Sequence, residues 1–163
     1  MFVQCRSLFM GEATRLPLDT ELDFTRVEFQ GMTPFAQPVR VEGEITARAG
    51  VVKLSAKAVF TFHGRCDRCL APFTRAYEIP LEHILVTSLE NEDSDYVLLE
   101  DYRLALDELV QAAIFLELPY KSLCREDCLG LCPQCGKDLN EGPCGCTKKT
   151  VDPRLEILSQ LLN

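Results

Sequence analysis

Apolar and polar residues alternate with a period of two through Val39, Val41, Gly43 and Ile45, and again through Val52, Leu54, Ala56, Ala58, Phe60 and Phe62 after Ala49-Gly50. Successive side chains of a strand point to opposite faces, so this spacing predicts a β-hairpin with one buried face. Phe73, Ala76, Tyr77, Ile79 and Leu81 predict a third strand, joined to the second through Cys66-Asp-Arg-Cys69. Thr33-Pro34 and Gln37-Pro38 break the chain ahead of the first strand. The segment from Leu16 to Phe29 permits an extended stretch.

From Leu106 to Leu118 the period becomes helical. Leu106, Leu109, Val110, Ala113, Ile114 and Leu116 form the expected apolar face, which ends before Pro119. Asp107 and Glu108 stand where the helix dipole favours carboxylates. This helix is expected to pack on the apolar face of the sheet. Tyr96 to Leu99 suggests a short strand after a polar loop, and Asp152-Pro153 followed by Leu155, Leu158, Leu161 and Leu162 predicts a short terminal helix. Such a helix docks either intramolecularly or on a partner. The fold class expected is α+β, an antiparallel sheet with one packed helix, followed by a Cys-rich segment and the terminal helix.

Composition narrows the chemistry. A chain of 163 residues with 47% hydrophobic content is long enough for one core. Seventeen Lys and Arg against 25 Asp and Glu give a net charge of −8, which excludes nucleic-acid binding through overall charge, because that affinity comes from neutralising phosphates. Any RNA contact must be local. Glu82 to Glu108 carries most of the acidic bias (Glu82, Glu90, Glu92, Asp93, Asp95, Glu100, Asp101, Asp107, Glu108) against a lone Arg103; this reads first as a solvated loop and a helix start. Gln4, Cys5 and Arg6 interrupt any apolar leader, and no uncharged run approaches the roughly 20 residues of a membrane span. A reducing cytoplasm is the expected compartment, with no membrane and no small-molecule substrate.

Eight of the nine cysteines come as local pairs: Cys66/Cys69, Cys124/Cys128, Cys132/Cys135 and Cys144/Cys146. Cys-Asp-Arg-Cys and Cys-Pro-Gln-Cys-Gly each put two thiolates on a tight turn where both sulfurs can reach one ion at about 2.3 Å. Pro133 and Gly136 suit such a turn. Four pairs make two tetrahedral sites, expected to hold two Zn²⁺, although thiolates suit iron as well. A disulfide framework is the competing account, disfavoured in a reducing compartment. Three ways of combining the pairs exist. The loop from Gly136 to Pro143 is short enough to fold Cys132/Cys135 onto Cys144/Cys146, which leaves Cys66/Cys69 with Cys124/Cys128. Residues 1–120 and 121–163 would then be packed as one unit through shared ligands. Cys5, without a near partner, is expected to be a small buried apolar residue.

Closed four-thiolate sites leave no open position for a hydrolytic water. His63 and His83 lack an adjacent nucleophile motif, no phosphate-binding Gly-rich loop is present, and a thioredoxin-like reading of Cys66/Cys69 would need a βαβ context where Pro72 and a strand follow instead. The expectation is a non-catalytic protein.

Cys66-Asp-Arg-Cys-Leu70, Leu116-Glu-Leu-Pro-Tyr120, Leu123-Cys-Arg-Glu-Asp-Cys-Leu-Gly-Leu-Cys-Pro-Gln-Cys-Gly136, Leu139-Asn-Glu-Gly-Pro-Cys-Gly-Cys146 and Asp152-Pro-Arg-Leu155 closely resemble the YceD family of large ribosomal RNA subunit accumulation proteins. The resemblance implies a role in synthesis, processing or stability of large-subunit (23S) ribosomal RNA, with that RNA or the pre-ribosomal particle as partner. Arg65, Arg68 and Arg75 bracket the first knuckle and are the candidate RNA contacts, recognising phosphates of structured RNA by shape. Lys121, Arg125, Lys137, Lys148, Lys149 and Arg154 would add to a basic surface if the two cysteine-rich ends meet. The alternative is a protein-interaction adaptor that binds a basic ribosomal protein or assembly factor, with purely structural metal sites.

Overall fold

The computed structural model of the chain describes residues 1–88 and 96–146. The expected terminal helix, Lys148, Lys149, Arg154 and the Glu90, Glu92, Asp93 and Asp95 part of the acidic stretch lie outside them. The strands are β1 (Phe2–Gln4), β2 (Arg15–Leu22), β3 (Val39–Arg48), β4 (Val51–Arg65), β5 (Pro72–Val86), β6 (Tyr96–Leu98) and β7 (Arg103–Ala105), with helices α1 (Arg6–Phe9) and α2 (Leu106–Glu117). A five-stranded sheet runs β2-β3-β4-β5-β6, and β1 pairs with β7 in a small second sheet.

The β3–β4 hairpin forms as the alternation predicts, with Arg48 opposite Val51 and Arg40 opposite Val59. Val39, Val41 and Ile45 of β3, Val52, Leu54, Ala58, Phe60 and Phe62 of β4, and Ile79, Leu81 and Leu85 of β5 share one buried core. The other face is wet and laced with ion pairs, among them Lys57 with Glu42 and Glu78 at 3.1 and 3.4 Å. The ambiguous segment after Arg15 is strand β2, antiparallel to β3. Its Leu18 and Leu22 reach the same core.

β4 and β5 are each 15 residues long and remain paired from Val52↔Leu85 to Arg65↔Pro72. This long ribbon carries the first cysteine turn at its far end. An aromatic group stiffens that end: Phe60 stacks on Tyr77 at 5.5 Å, Phe35 meets Phe60 edge-on at 5.4 Å, and Phe62 packs against Phe73 at 6.0 Å. Such pairs add about 0.5–1.5 kcal/mol each beyond their buried area.

α2 lays Leu106, Val110 and Ile114 into the core. These positions repeat every four residues and so form one stripe. Leu116, which the sequence reading put on that face, is instead 86% exposed; two residues beyond Ile114 at about 100° each, it points nearly opposite. A second departure concerns β6, which pairs parallel to β5. The sheet is therefore mixed at that edge, and a three-residue strand carries no sequence signal for direction. Cys5 is fully buried beside the short α1, and burial pushes its thiol up to about 11.

Ile114→Ala should destabilise the protein by about 2–5 kcal/mol in denaturant unfolding, whereas Leu116→Ala on the same helix should stay within about 0.5 kcal/mol.

Candidate metal centre at the end of the β4–β5 ribbon

Where β4 ends, the chain makes a tight turn through Cys66-Asp-Arg-Cys69 before entering β5. The Leu70 N–H donates to the Cys66 carbonyl at 2.8 Å and the Cys66 N–H to the Ala71 carbonyl at 2.9 Å. The second turn repeats this pattern: Gly136 N–H donates to the Cys132 carbonyl at 2.9 Å and Cys132 N–H to the Lys137 carbonyl at 2.8 Å. The residue after the second cysteine needs positive φ, and Gly136 has +73°. In the first turn that place is taken by Leu70, at +62°. A branched residue there is strained by about 1 kcal/mol or more, yet its side chain is 60% exposed.

Past α2, Pro119 turns the chain toward the first knuckle. Asp67 N–H donates to the Ser122 carbonyl at 2.8 Å, and Ser122 N–H donates back to Asp67 Oδ2 at 2.7 Å. Leu131 N–H donates to the Arg68 carbonyl at 3.0 Å, an approach allowed because residue 130 is glycine at φ +75°; a Cβ there would stand 2.9 Å from that same oxygen.

These contacts bring Cys66, Cys69, Cys124 and Cys128 together, and separately Cys132, Cys135, Cys144 and Cys146, with all sulfurs of each group within 4.8 Å of one another. The grouping is the one that loop length and elimination gave. Cys66 Sγ lies 3.7 Å from Cys128 Sγ, and Cys69 Sγ 3.7 Å from Cys124 Sγ. A disulfide needs about 2.05 Å, and all nine cysteines are free. Four sulfurs at about 2.3 Å around one tetrahedral ion stand roughly 3.75 Å apart. The first cluster therefore has the dimensions of a four-thiolate site, and both groups can hold a metal ion.

Electrostatics differ among the sulfurs. Burial would push the Cys66 thiol up, but backbone N–H groups of Cys124, Cys69 and Arg68 bond its sulfur and hold it at about 6. Cys132 is held at about 6 by the N–H groups of Cys135 and Gln134. Cys124 is pushed to about 12 by burial and by its sulfur neighbours, and Cys146 to about 12 chiefly by Cys135 and then by burial. One thiolate forms readily in each cluster and the last one resists, as expected where four sulfurs crowd without a cation. The first cluster is the drier: Cys66, Cys69 and Cys128 are buried, whereas Cys135 is exposed.

The three arginines do not converge on one surface. Phe62 of the core face stands opposite Arg75, so Arg75 projects from that face, whereas Arg65, an odd step along β4, projects from the other. Arg75 Nη2 donates to the Leu123 carbonyl at 3.1 Å, and its guanidinium lies 5.6 Å from the Phe73 ring centroid. Arg68 Nη1 donates to the Cys128 carbonyl at 2.7 Å. Two of the three thus tie the knuckle to the chain leaving α2. Arg125 is likewise engaged, on Asn140 Oδ1 at 2.7 Å.

Sequence reasoning passed over Asn140. Its Nδ2 donates to Cys128 Sγ at 3.4 Å and to Asp138 Oδ1 at 2.6 Å, while its Oδ1 accepts from Leu129 N–H at 2.9 Å. The loop of the second cluster thereby supports a sulfur of the first. Only its place between the last two cysteine pairs hinted at this.

Fold and site together define a small α+β protein whose sheet is clasped at one end by two neighbouring four-cysteine clusters. Residues 54–162 match the family model described as large ribosomal RNA subunit accumulation protein YceD. The chain belongs to the YceD family. It is 34% identical over 104 residues to Rv2926c, an uncharacterised protein of Mycobacterium tuberculosis, covering 61% of this chain and 50% of that one. Over 132 residues it is 32% identical to YlbN, an uncharacterised protein of Bacillus subtilis, covering 77% of this chain and 74% of the other. The chain spans about half the length of the mycobacterial relatives it matches. No solved structure matches it. Among the described residues no helix is long and apolar enough to cross a membrane.

In metal-loaded protein, Asn140→Ala should weaken retention of the ion at the Cys66 cluster about 10–100-fold in chelator competition, with little change at the Cys132 cluster.

Proposed function

We propose that this chain is a non-catalytic zinc-binding factor that supports synthesis, processing or stability of large-subunit ribosomal RNA and contacts structured RNA beside its first cysteine cluster. Family membership over residues 54–162 carries this reading. The geometry supports it through a rigid platform, since the Cys66 cluster, the Asp67–Ser122 pairing and the Arg68 bond to Cys128 fix the backbone from which cationic side chains project. Zn²⁺ at both clusters would supply four-coordinate cross-links with no open position for chemistry. It would also join residues 1–120 to the Cys-rich segment as one folding unit. Arg65, the one of these three arginines without an internal partner among the described residues, is the cleanest phosphate contact; Arg68 retains further N–H groups on the knuckle itself, and Arg75 on the other face of the ribbon.

Crosslinking or gel-shift of large-subunit RNA fragments with Arg65→Glu and with the Arg65/Arg68/Arg75→Ala triple variant tests the contact. Weaker retention in both, with a shallower salt dependence, is expected. Retention equal to wild type removes direct binding through these residues.

An adaptor reading has its own support in Leu70 and Leu129, 60% and 66% exposed, which stand beside the buried sulfurs of Cys69 and Cys128. A strained and exposed leucine suits a protein contact. Recovery of basic ribosomal proteins that survives nuclease treatment would favour this reading over RNA binding.

Elemental analysis should give two ions per chain, with one lost in each of Cys66→Ser and Cys132→Ser. Protons compete with metal for thiolates, so retention should be complete at neutral and higher pH. It should fall progressively as the medium is acidified, because protons compete with the ion for all four thiolates of each cluster. A chromogenic zinc indicator reads the release; undiminished retention at strongly acid pH would argue against thiolate ligation.

A further inference from the structure

We propose that a cleft between Tyr120 and the first knuckle receives a single unpaired nucleotide of RNA. The proposal deepens the RNA reading above and rests on it. The cleft holds about 500 Å³ and is lined by Gln30, Asp67, Arg68, Tyr120, Lys121 and Leu123. Binding pockets for small organic groups begin at roughly 300 Å³, so one nucleotide fits and a duplex does not.

Each wall has chemistry that a nucleotide uses. Tyr120 is 88% exposed directly after Pro119, and no core contact accounts for an aromatic ring at that place. Base-on-aromatic stacking needs such a ring. Arg68 Nη1 is occupied by the Cys128 carbonyl, which leaves its Nη2 and Nε N–H groups for a phosphate at a guanidinium already fixed in direction. Lys121 adds a second cation, and with Asp67 the lining carries a net charge of about +1 on a chain of −8. Local positive charge is what an acidic protein needs to hold a phosphodiester. Asp67 Oδ2 is used by Ser122 N–H and Gln30 Nε2 by the Tyr120 carbonyl at 3.1 Å, so Asp67 Oδ1 and Gln30 Oε1 remain as acceptors for a base edge.

The cleft is also preorganised. Gln30 and Asp67 anchor the backbone of residues 120 and 122, and the lining residues Asp67, Arg68 and Leu123 are chain neighbours of the clustered Cys66, Cys69 and Cys124. A guanidinium held on one side by a carbonyl, and an aromatic with only two side-chain torsions on anchored backbone, lose little freedom on binding.

The test uses full-length protein and RNA hairpins carrying 2-aminopurine either in a one-nucleotide bulge or fully paired, with free 2-aminopurine riboside monophosphate as a further arm. Wild type should quench the bulged probe and bind it more tightly than the paired one. Tyr120→Ala should weaken bulge binding about 5–150-fold, the range of one lost stacking contact, and abolish the quench. Tyr120→Phe should retain both. Because Tyr120 is exposed, these variants leave the fold intact. Equal binding of wild type and Tyr120→Ala, equal binding of paired and bulged RNA, or binding of the free nucleotide alone would each overturn the cleft. If RNA binding proves sensitive to Arg65→Glu but indifferent to Tyr120→Ala, the RNA reading stands and the cleft falls; if no RNA binds, both fall.

Discussion

Convergence of four sulfurs from two distant stretches of chain is the constraint on which the rest of this structure depends. Cys66 and Cys69 sit at the tip of a ribbon of two 15-residue strands, and Cys124 and Cys128 follow the helix. Closing that loop of more than fifty residues restricts the unfolded chain, and any ion binding there contributes its binding free energy to folding. Without it the ribbon's end would rest on a few aromatic contacts and on a short segment with no regular structure.

Hydrogen bonding around the sulfurs explains why so much polar chemistry is concentrated at this end. Backbone N–H groups aimed at Cys66 and Cys132 stabilise negative charge on sulfur, and Asn140 adds a side-chain donor to Cys128. The arginines serve the same end. A guanidinium that bonds a carbonyl across the clasp, as Arg68 does on Cys128, orders the cysteine loop. The two clusters are therefore unequal partners: the buried one organises the fold, and the more exposed one buttresses it through Asn140.

That arrangement also separates the enclosed core from the groups exposed at the clasp. The core built by Leu54, Leu81, Val110 and Ile114 is fully enclosed, and the opposite face of the sheet carries paired charges. What the clasp leaves exposed includes Tyr120 and Lys121 at one cleft and the leucines Leu70 and Leu129 next to cluster cysteines in the chain, on backbone held by hydrogen bonds across the knuckle. Preorganisation of this kind lowers the freedom lost when a group is bound.

Period-two alternation made β3, β4 and β5 legible in the sequence, because one buried face imposes it, and Leu106, Val110 and Ile114 gave the helix for the corresponding reason. Cysteine spacing gave both turns, since only local geometry decides whether two sulfurs can share one centre. Other features depend on elements far apart in the chain. Whether β6 runs parallel, whether Leu116 faces in or out, and which side of the ribbon Arg65 and Arg75 occupy are settled by register and packing, to which a short segment's composition is blind. Asn140 reaches Cys128, and Tyr120 and Asp67 line one cleft, only once the clasp has closed. The sequence by itself determined strands β3 to β5, the helix α2 and the local cysteine pairs, while the short β1, β7 and α1 carried no such signal; the tertiary structure alone decided which donors meet across the clasp, because that requires the long ribbon and the helix to end at the same place.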